Sequence, residues 1–482
     1  MEKRKDIIYE RMASERYTPF SLAKKIGAKA ILESASFNKG RERYSIIMAE
    51  EAFKIIQDEE GPAFLIDGRR LPFNADGVVS KNAVGQAKEA DILDALAYVA
   101  AQNESPEKDI PLPASGIGYL SYEFVQRCDN VHLESQFDEL RIPEACFVAG
   151  HIYIVFDHFT ETLNIFGLNY AERQIDLKKT VGDLIKKLNN MDFSYMEQSE
   201  ELCPVKRLTN EEQSKKEYCE KVVELKKHIV AGDIIQAVPS RHVQIECDSS
   251  ALEIYRRLRL INPSPYLMYI DFGDFQLAGA SPESLVRVVN GRASIHPIAG
   301  TIRRGKNEAE DEKLKMQLLA DPKERAEHLM LVDLARNDLG RVCAPGSVNV
   351  SQFMETETFS HVIHLVSNVE GTLCEGVSPL QVVRASFPAG TLSGAPKISA
   401  MKIVSRLEKT MRRFYAGAVG YVRPNGDLDF CIAIRCALKQ GKVWTLQAGS
   451  GIVYDSIPER EFEETNEKLG ALIATFDMEE KK

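Results

Sequence analysis

The spacing of apolar residues changes along the chain, and the change divides it into two regions. Before about residue 195, stretches such as "GYLSYEF" and "HIYIVFDHFTETLNIFGLNY" have the alternation that is typical of strands. Residues 189–217, "NNMDFSYMEQSEELCPVKRLTNEEQSKKE", are polar and poor in aliphatic side chains, so they predict a connection. From about 215 to 474, strands and helices alternate irregularly and no internal repeat is present.

Two helices in the second region have clear boundary signals. In "EYCEKVVELKKHIVAGD" the apolar residues have helical spacing and stop at Gly232, which predicts a C-terminal cap. In "ADPKERAEHLMLVDLARNDLG", Asp321 is the predicted N-cap and Pro322 the first helical residue. Glu324 has the spacing that a capping box with Asp321 requires.

A third helix is predicted in "DSIPEREFEETNEKLGALIATF", where Ser456 and Glu459 have the spacing of another capping box. The last two helices each present two carboxylates on one face, because residues three apart in a helix are neighbours. These pairs are Glu324 with Glu327, and Glu461 with Glu464. Carboxylates on facing helices suit Mg²⁺, but with 71 acidic residues in the chain the same spacing also fits a solvated helix face.

Composition narrows the class of protein. The 482 residues are 44% hydrophobic and 27% charged, which is typical of a globular protein, and the net charge of -10 argues against a nucleic-acid binder. The nine cysteines form no C-x-x-C pair, which favours reduced thiols in a cytosol. The charged start "MEKRKDIIYERMASERY" is unlike a signal peptide, and no apolar run approaches the length of a membrane span. We therefore expect a cytoplasmic protein without membrane or nucleic-acid partners.

Nine segments in order resemble the chorismate-utilising enzyme family, and within it the anthranilate synthase branch. They are "GDIIQAVPSR", "NPSPYLMY", "GASPESL", "PIAGTIRRG", "AEHLMLVDLARNDLGRV", "FSHVIHLVS", "GTLSGAPK", "AVGYV" and "QAGSGIVYDSIPEREFEET". The N-terminal region resembles the family more loosely, through "ILES", "RYSII" and "GYLSYE".

This resemblance implies an α+β fold in which two packed, mostly antiparallel β-sheets are flanked by helices. It also implies an N-terminal region, residues 1–195, with a tryptophan regulatory site, and a chorismate-binding catalytic region, residues 215–474. We expect the two regions to be intertwined in one body.

The resemblance also implies a Mg²⁺-dependent lyase and assigns its site residues. Glu327 and Glu464 are expected to bind Mg²⁺ directly, with Glu324 and Glu461 completing the cage through water or directly. Glu283 resembles the family's general acid and His364 its active-site histidine, whereas His361 is expected to be structural. The expected substrate-binding residues are Gly300, Thr301, Thr391, Tyr415, Arg435, Gly449, Ser450, Gly451 and Lys468.

Two positions bear on which nucleophile attacks chorismate. Relatives that add water have a lysine where this chain has Gln236, and aminodeoxychorismate synthases commonly have a lysine where it has Ala299. The inert Ala299 leaves ring carbon 2 open to ammonia, which predicts anthranilate as the product. Aminodeoxychorismate or aminodeoxyisochorismate synthesis remains an alternative, as does a non-catalytic paralogue that binds chorismate or tryptophan.

The resemblance further implies a partner and an inhibitor. The chain has no "GxCxGH"-like nucleophile, so a separate glutamine amidotransferase subunit is expected to supply ammonia in a hetero-oligomer. Tryptophan is expected to bind at Ser34, Pro265, Tyr266 and Leu267. The segment "ASFNKGRER" after Ser34 and the leucine at 267 depart from the family's usual pattern.

Overall fold

The computed structural model describes residues 7–36, 40–41, 43–74, 80–81, 87–135, 137–190, 203–358 and 362–476. The strands in these ranges are β1 (Ile7–Ala13), β2 (Ala30–Glu33), β3 (Ala35–Ser36), β4 (Gly40–Arg41), β5 (Tyr44–Asp58), β6 (Gly61–Ile66), β7 (Arg69–Pro72), β8 (Ser80–Lys81), β9 (Ala87–Lys88), β10 (Ile117–Leu120), β11 (Ala145–Asp157), β12 (Thr162–Leu168), β13 (Lys206–Arg207), β14 (Gln236–Ala237), β15 (Ser240–Glu246), β16 (Tyr266–Asp271), β17 (Gln276–Ser281), β18 (Ser284–Val289), β19 (Arg292–Ile295), β20 (Ile298–Arg303), β21 (Asn349–Thr358), β22 (Val362–Thr372), β23 (Gly394–Ala395), β24 (Ala418–Val422), β25 (Leu428–Ile432), β26 (Cys436–Gln440) and β27 (Val443–Gly449). The helices are α1 (Pro19–Ile26), α2 (Ile92–Ala100), α3 (Val125–Cys128), α4 (Leu177–Asn189), α5 (Glu211–Ala231), α6 (Ala251–Ile261), α7 (Glu308–Ala320), α8 (Pro322–Gly340), α9 (Leu380–Ser386), α10 (Gly390–Ser393), α11 (Lys397–Glu408) and α12 (Pro458–Phe476), with a 3-10 turn at Tyr122–Phe124.

The long strand β5 joins two arms of one hydrogen-bonded network. The first arm runs from β5 through β2, β16, β17, β26, β27 and β15 to β13. The second arm runs from β5 through β11, β10, β24, β25, β18 and β19 to β22, which also pairs with β20 and β21. Every pairing between these strands is antiparallel, which confirms the predicted sheet type.

Both arms contribute to one apolar core. Met268 and Leu277 of the first arm are buried in the same cluster as Tyr119, Phe147 and Phe430 of the second. The opposite face of the first arm packs in another cluster with α1, α4, α6 and α12. Since strand side chains alternate between faces, this arrangement is two packed sheets with helices outside, and the α+β fold is confirmed.

Strands from the two ends of the chain are neighbours. In the first arm β2 pairs with β16, and in the second β10 pairs with β24. The boundary between regions 1–195 and 215–474 stays a prediction, and residues 191–202 of the connection lie outside the described ranges.

The helix-end signals were right in part. Helix α5 ends before Gly232, which is left-handed at φ 82°, and the Asp321 carboxylate caps α8 as predicted. The capping box was wrong, because the Asp321 N–H donates to the Leu318 carbonyl while the Glu324 carboxylate accepts from the Thr301 N–H. Glu324 is therefore turned toward β20.

The second capping box was also wrong. Helix α12 begins at Pro458, one residue later than Ser456 would require as its N-cap. The Ser456 hydroxyl instead accepts a hydrogen bond from the Val453 N–H at 3.0 Å and closes the preceding loop.

None of the helices in the described ranges has the length and apolar character needed to cross a bilayer. All nine cysteines are free thiols.

Candidate active site

Glu283 and Arg435 lie at two of the places where the chain passes from one arm to the other. Glu283 lies between β17 and β18, and Arg435 lies between β25 and β26. The crossings are tied together, because the Ile432 N–H donates to the Glu283 carbonyl and the Ala280 N–H donates to the Arg435 carbonyl, each at 3.0 Å. The fold thus fixes a carboxylic acid and a guanidinium at one corner of the sandwich.

The Glu283 carboxyl is withdrawn from water. Burial raises its pKa to about 7, although the hydrogen bond from the Thr391 hydroxyl and the charges of Arg435 and Lys468 act in the opposite direction. The Thr391 oxygen is 3.0 Å from Oε1 of Glu283. A carboxyl group with this pKa holds a proton over part of the neutral range, as a general acid must.

Arg435 is a half-buried cation without a direct partner among the described side chains. Burial lowers the pKa of its guanidinium, while Tyr415, Glu283 and Glu464 raise it. No side chain in the described part of the chain forms a hydrogen bond or ion pair with this guanidinium. Its backbone is left-handed at φ 54°, a conformation that typically costs a non-glycine residue about 1–3 kcal/mol and that is concentrated at functional sites.

A β-bulge at Gly300 sets the position of His364. Ala299 pairs with Leu365 and Thr301 pairs with His364, so that Gly300, at φ 76°, is the extra residue. Nδ1 of His364 lies 3.1 Å from the Gly300 carbonyl and 3.0 Å from the Thr301 hydroxyl. Burial lowers the pKa of His364 to about 4, so the imidazole is neutral at pH 7. Because the carbonyl can only accept, Nδ1 carries the proton and Nε2 is unprotonated.

The segment after β27 approaches the site closely. A Cβ atom on Gly449 would lie 2.4 Å from the Pro239 carbonyl and 3.3 Å from the Tyr415 hydroxyl, so only glycine fits. The Lys468 ammonium donates to the Gly449 carbonyl at 2.8 Å. Ser450 is fully buried, and its hydroxyl is 2.7 Å from that of Tyr218.

The four predicted metal-binding glutamates lie on α8 and α12. The pKa of Glu327 is raised, first by burial and then by the negative charges of Glu324 and Glu464. Glu464 pairs with Lys468 at 2.6 Å, and the buried Oε2 of Glu461 has no hydrogen-bond partner. In the described ranges, no three His, Cys, Asp or Glu side chains are already arranged to hold a metal ion.

Comparisons with known proteins give the family of this chain. A profile of the family described as chorismate binding enzyme matches residues 52–474. Anthranilate synthase component 1 of Spirochaeta aurantia is 47% identical over 466 residues, which cover 96% of this chain and 94% of that protein. The protein of the same name from Bacillus subtilis (strain 168) is 35% identical over 491 residues, which cover 98% of this chain and 92% of that protein. The crystal structure of anthranilate synthase component I from Streptococcus pneumoniae TIGR4 superposes with a TM-score of 0.76 at 34% identity, covering 89% of this chain and 92% of that one.

The chain belongs to the chorismate-binding enzyme family.

In this chorismate-binding enzyme the two positions predicted to select the nucleophile, Ala299 and Gln236, lie next to other predicted site residues. Ala299 is buried immediately before the Gly300 bulge that holds His364. Gln236 is buried in β14, and a Cβ atom on Gly451 would lie 2.6 Å from its Nε2 atom. The absence of a side chain at Gly451 therefore makes room for the Gln236 amide.

The four predicted tryptophan-binding residues of this chorismate-binding enzyme line one cavity of about 760 Å³. They are Ser34, Pro265, Tyr266 and Leu267. The Tyr266 hydroxyl donates to the Asp429 carboxylate at 3.0 Å, and Glu33 and Arg287 add further charges to the lining. The structure thus brings together residues that are more than 200 positions apart in sequence.

Two residues near the site of this chorismate-binding enzyme were missed by the sequence analysis. Tyr218 on α5 positions Ser450, and His296 lies between the large cavity and a smaller one of about 40 Å³ beside Glu283 and Thr391. His296 directly precedes "PIAGT", which could have drawn attention to it, but Tyr218 has no local signal. His361, predicted to be structural, lies outside the described residues.

Proposed function

We propose that this chain is the anthranilate synthase component that converts chorismate and ammonia into anthranilate and pyruvate, within tryptophan biosynthesis in the cytoplasm. The observation that carries the proposal is the Glu283 carboxyl, with a pKa of about 7, fixed beside the unpaired guanidinium of Arg435. Incubation with chorismate, Mg²⁺ and ammonium, followed by anthranilate fluorescence and a pyruvate assay, tests it. Formation of an aminated product without pyruvate would favour an aminodeoxychorismate or aminodeoxyisochorismate synthase instead.

The first step needs an acid and an anion site. Chorismate has two carboxylates, and the planar guanidinium of Arg435 can bind one of them through two parallel hydrogen bonds. The Tyr415 hydroxyl and the backbone around Gly300, Gly449 and Gly451 supply further polar groups. As the nitrogen of ammonia bonds to ring carbon 2, the hydroxyl at carbon 4 leaves, and Glu283 gives it the proton that makes it water.

The second step needs a base. Aromatisation removes the proton from ring carbon 2 while the ether bond to the enolpyruvyl group breaks and pyruvate is released. The neutral imidazole of His364 is suited to take this proton at Nε2, because the Gly300 carbonyl holds Nδ1 in its protonated form. Thr301 positions the same ring through its hydroxyl.

Mg²⁺ fits the donor set on α8 and α12. The buried Oε2 of Glu461 has no hydrogen-bond partner, and burial together with the charges of Glu324 and Glu464 raises the pKa of Glu327 despite nearby lysines. Both observations indicate negative charge that is incompletely compensated. Glu327 and Glu464 would hold the ion directly, with Glu324 and Glu461 bound directly or through water. When bound, Mg²⁺ supplies positive charge that offsets these carboxylates and clamps a carboxylate of the substrate.

Mg²⁺ and chorismate are expected to tighten each other's binding by the same factor, because their opposite charges compensate each other. Calorimetric titration of Mg²⁺ with and without chorismate, in an inactive Glu283→Gln background, measures this factor. In that background Glu327→Gln should weaken Mg²⁺ binding at least about tenfold, whereas Glu463→Gln, an exposed position on α12, should not change it. Equal Mg²⁺ affinities with and without chorismate would rule out the clamp.

Ala299→Lys is expected to lower ammonia-dependent anthranilate formation at least about tenfold, because the side chain would fill the nucleophile's path. Its amine could itself add to ring carbon 2 with loss of water, giving a covalent adduct visible by intact-protein mass spectrometry. Ala299→Met, of similar length but without an amine, should lose activity without forming an adduct. Unchanged anthranilate output in both variants would mean that Ala299 does not line the reaction path.

The isolated chain is expected to use ammonium but not glutamine, because a separate glutamine amidotransferase subunit would supply ammonia in the assembled enzyme. Anthranilate formation by the purified chain from each nitrogen source, with and without the partner subunit, measures this directly. Glutamine-dependent formation by the chain alone that persists after each cysteine is replaced in turn would contradict the prediction.

We also propose that the cavity of about 760 Å³ binds tryptophan as a feedback inhibitor. Its lining combines apolar surface from Pro265, Tyr266 and Leu267 with the carboxylates of Glu33 and Asp429 and the hydroxyl of Ser34, which suits an aromatic amino acid.

A non-catalytic paralogue would have had no need to keep both Glu283 and His364, which favours an enzyme over a purely regulatory role.

A further inference from the structure

The two cavities described above share a lining residue. Among the described residues that line the two cavities, His296 alone lines both. One side of it faces the cavity of about 760 Å³ with Tyr266, and the other faces the cavity of about 40 Å³ with Glu283 and Thr391. The smaller cavity has room for a few water molecules but not for a displaced ring.

Backbone pairing and hydrogen bonds also connect residues that line the two cavities. Tyr266 pairs with Ser281, whose hydroxyl donates to the Ile432 carbonyl at 2.7 Å. The Ile432 N–H in turn donates to the Glu283 carbonyl. Cys431 lines the large cavity and Ile432 the small one, because consecutive residues of β25 point to opposite faces.

His296 also adjoins the second catalytic group. It follows β19, and after Pro297 the chain enters β20, which contains Ala299 and the Gly300 bulge. His296 therefore lines the same small cavity as Glu283 and Thr391, and only residues 297–299 separate it in sequence from the Gly300 bulge at His364.

We infer that His296 is the positioning residue through which a ligand in the large cavity controls the general acid. A ligand filling that cavity presses on the imidazole, and because the small cavity cannot accept the ring, Thr391 and Glu283 move. The inference rests on the proposed function, since it assigns the route of tryptophan inhibition.

The route is tested with two variants of the full-length chain. In His296→Ala the imidazole is gone, so a ligand in the large cavity no longer presses on the residues around Glu283. Tryptophan should still bind, with a Kd by calorimetry within about threefold of that of the unaltered chain. The inhibition factor is the ratio of kcat/KM for chorismate without tryptophan to kcat/KM at saturating tryptophan. In His296→Ala this factor should fall at least about fivefold, toward one. His296→Phe keeps the volume of the wall and should retain that factor within about twofold, which also provides a folded comparison if the alanine variant is unstable.

His242→Ala is the matched control. His242 is also a partly buried histidine, but it lies in β15 and lines neither cavity. An unchanged inhibition factor in His296→Ala would overturn the inference. Loss of tryptophan binding in His296→Ala would also overturn it, since His296 would then be a ligand contact. Loss of inhibition in His296→Phe would overturn it as well. Failure of the proposed function shows instead in the unaltered chain, as absence of anthranilate formation or of tryptophan binding.

Discussion

Glu283→Gln is expected to lower kcat for anthranilate formation by about 10²- to 10⁴-fold, the usual contribution of a general acid. Glutamine keeps the shape and the hydrogen bond with Thr391 but has no proton to give to the departing hydroxyl. The Kd for chorismate should change by less than about threefold, because Arg435 and the glycine segments remain. Stopped-time anthranilate assays and calorimetry with chorismate separate the two effects.

The pH dependence gives an independent check on Glu283. Its protonated form, the active one in the proposed mechanism, predominates below pH 7 and is lost as the pH rises through its pKa of about 7. His364, with a pKa of about 4, is neutral and able to act as a base above pH 4. At a fixed concentration of free ammonia, kcat/KM should therefore be bell-shaped between these values.

Thr391→Val identifies the titrating group, because the hydrogen bond from Thr391 lowers the pKa of Glu283. Without it the basic limb of the profile should move to higher pH. Near-normal turnover by Glu283→Gln, or a basic limb that persists unchanged in it, would assign the acid to another residue.

Arg435→Met is expected to raise the Kd for chorismate by about 30- to 5,000-fold, because losing one member of a buried charge pair typically costs about 2–5 kcal/mol. The Arg435 side chain is half-buried and has no other direct partner among the described residues, so the substrate carboxylate would lose its counter-charge. Calorimetry with chorismate and steady-state kinetics measure the effect, which should be larger on KM than on kcat.

Arg435→Lys is the conservative control. It keeps the positive charge but not the planar pair of donors, so its affinity for chorismate should lie between those of the unaltered chain and Arg435→Met. The charge of Arg435 lowers the pKa of Glu283. In Arg435→Met that pKa should rise, so the basic limb of the pH profile should also move to higher pH. Unchanged chorismate affinity in Arg435→Met would place the substrate carboxylate elsewhere.

The sequence predicted the fold through its resemblance and several helix ends through local chemistry. Asp321 caps α8 and Gly232 ends α5 because both effects depend on only a few neighbouring residues. The capping boxes failed for a non-local reason. The Glu324 carboxylate has a competing donor, the Thr301 N–H, which is brought to it by β20 and cannot be seen from a four-residue spacing.

The chemical state of the site residues also required the structure. "SPE" identifies Glu283 as a candidate acid, but its pKa near 7 follows from burial at the corner between β17 and β18. The function of the glycine in "PIAGT" likewise depends on pairing with β22, since the bulge at Gly300 directs its carbonyl toward His364. The large cavity combines Ser34 with residues 265–267 and His296, which come together only through the pairing of distant strands.

The pairing of β10 with β24 has a consequence for how the chain is made. Gly118 and Gly420 are partners in this ladder, yet the ribosome synthesises them about 15–60 seconds apart at the usual rate of about 5–20 residues per second. During that interval one edge of β10 has no strand to pair with, and the buried apolar residues of β10 and β11 lack their final covering. Folding must therefore wait for nearly the whole polypeptide, so the nascent N-terminal half is expected to need chaperone protection and to aggregate when it is expressed alone.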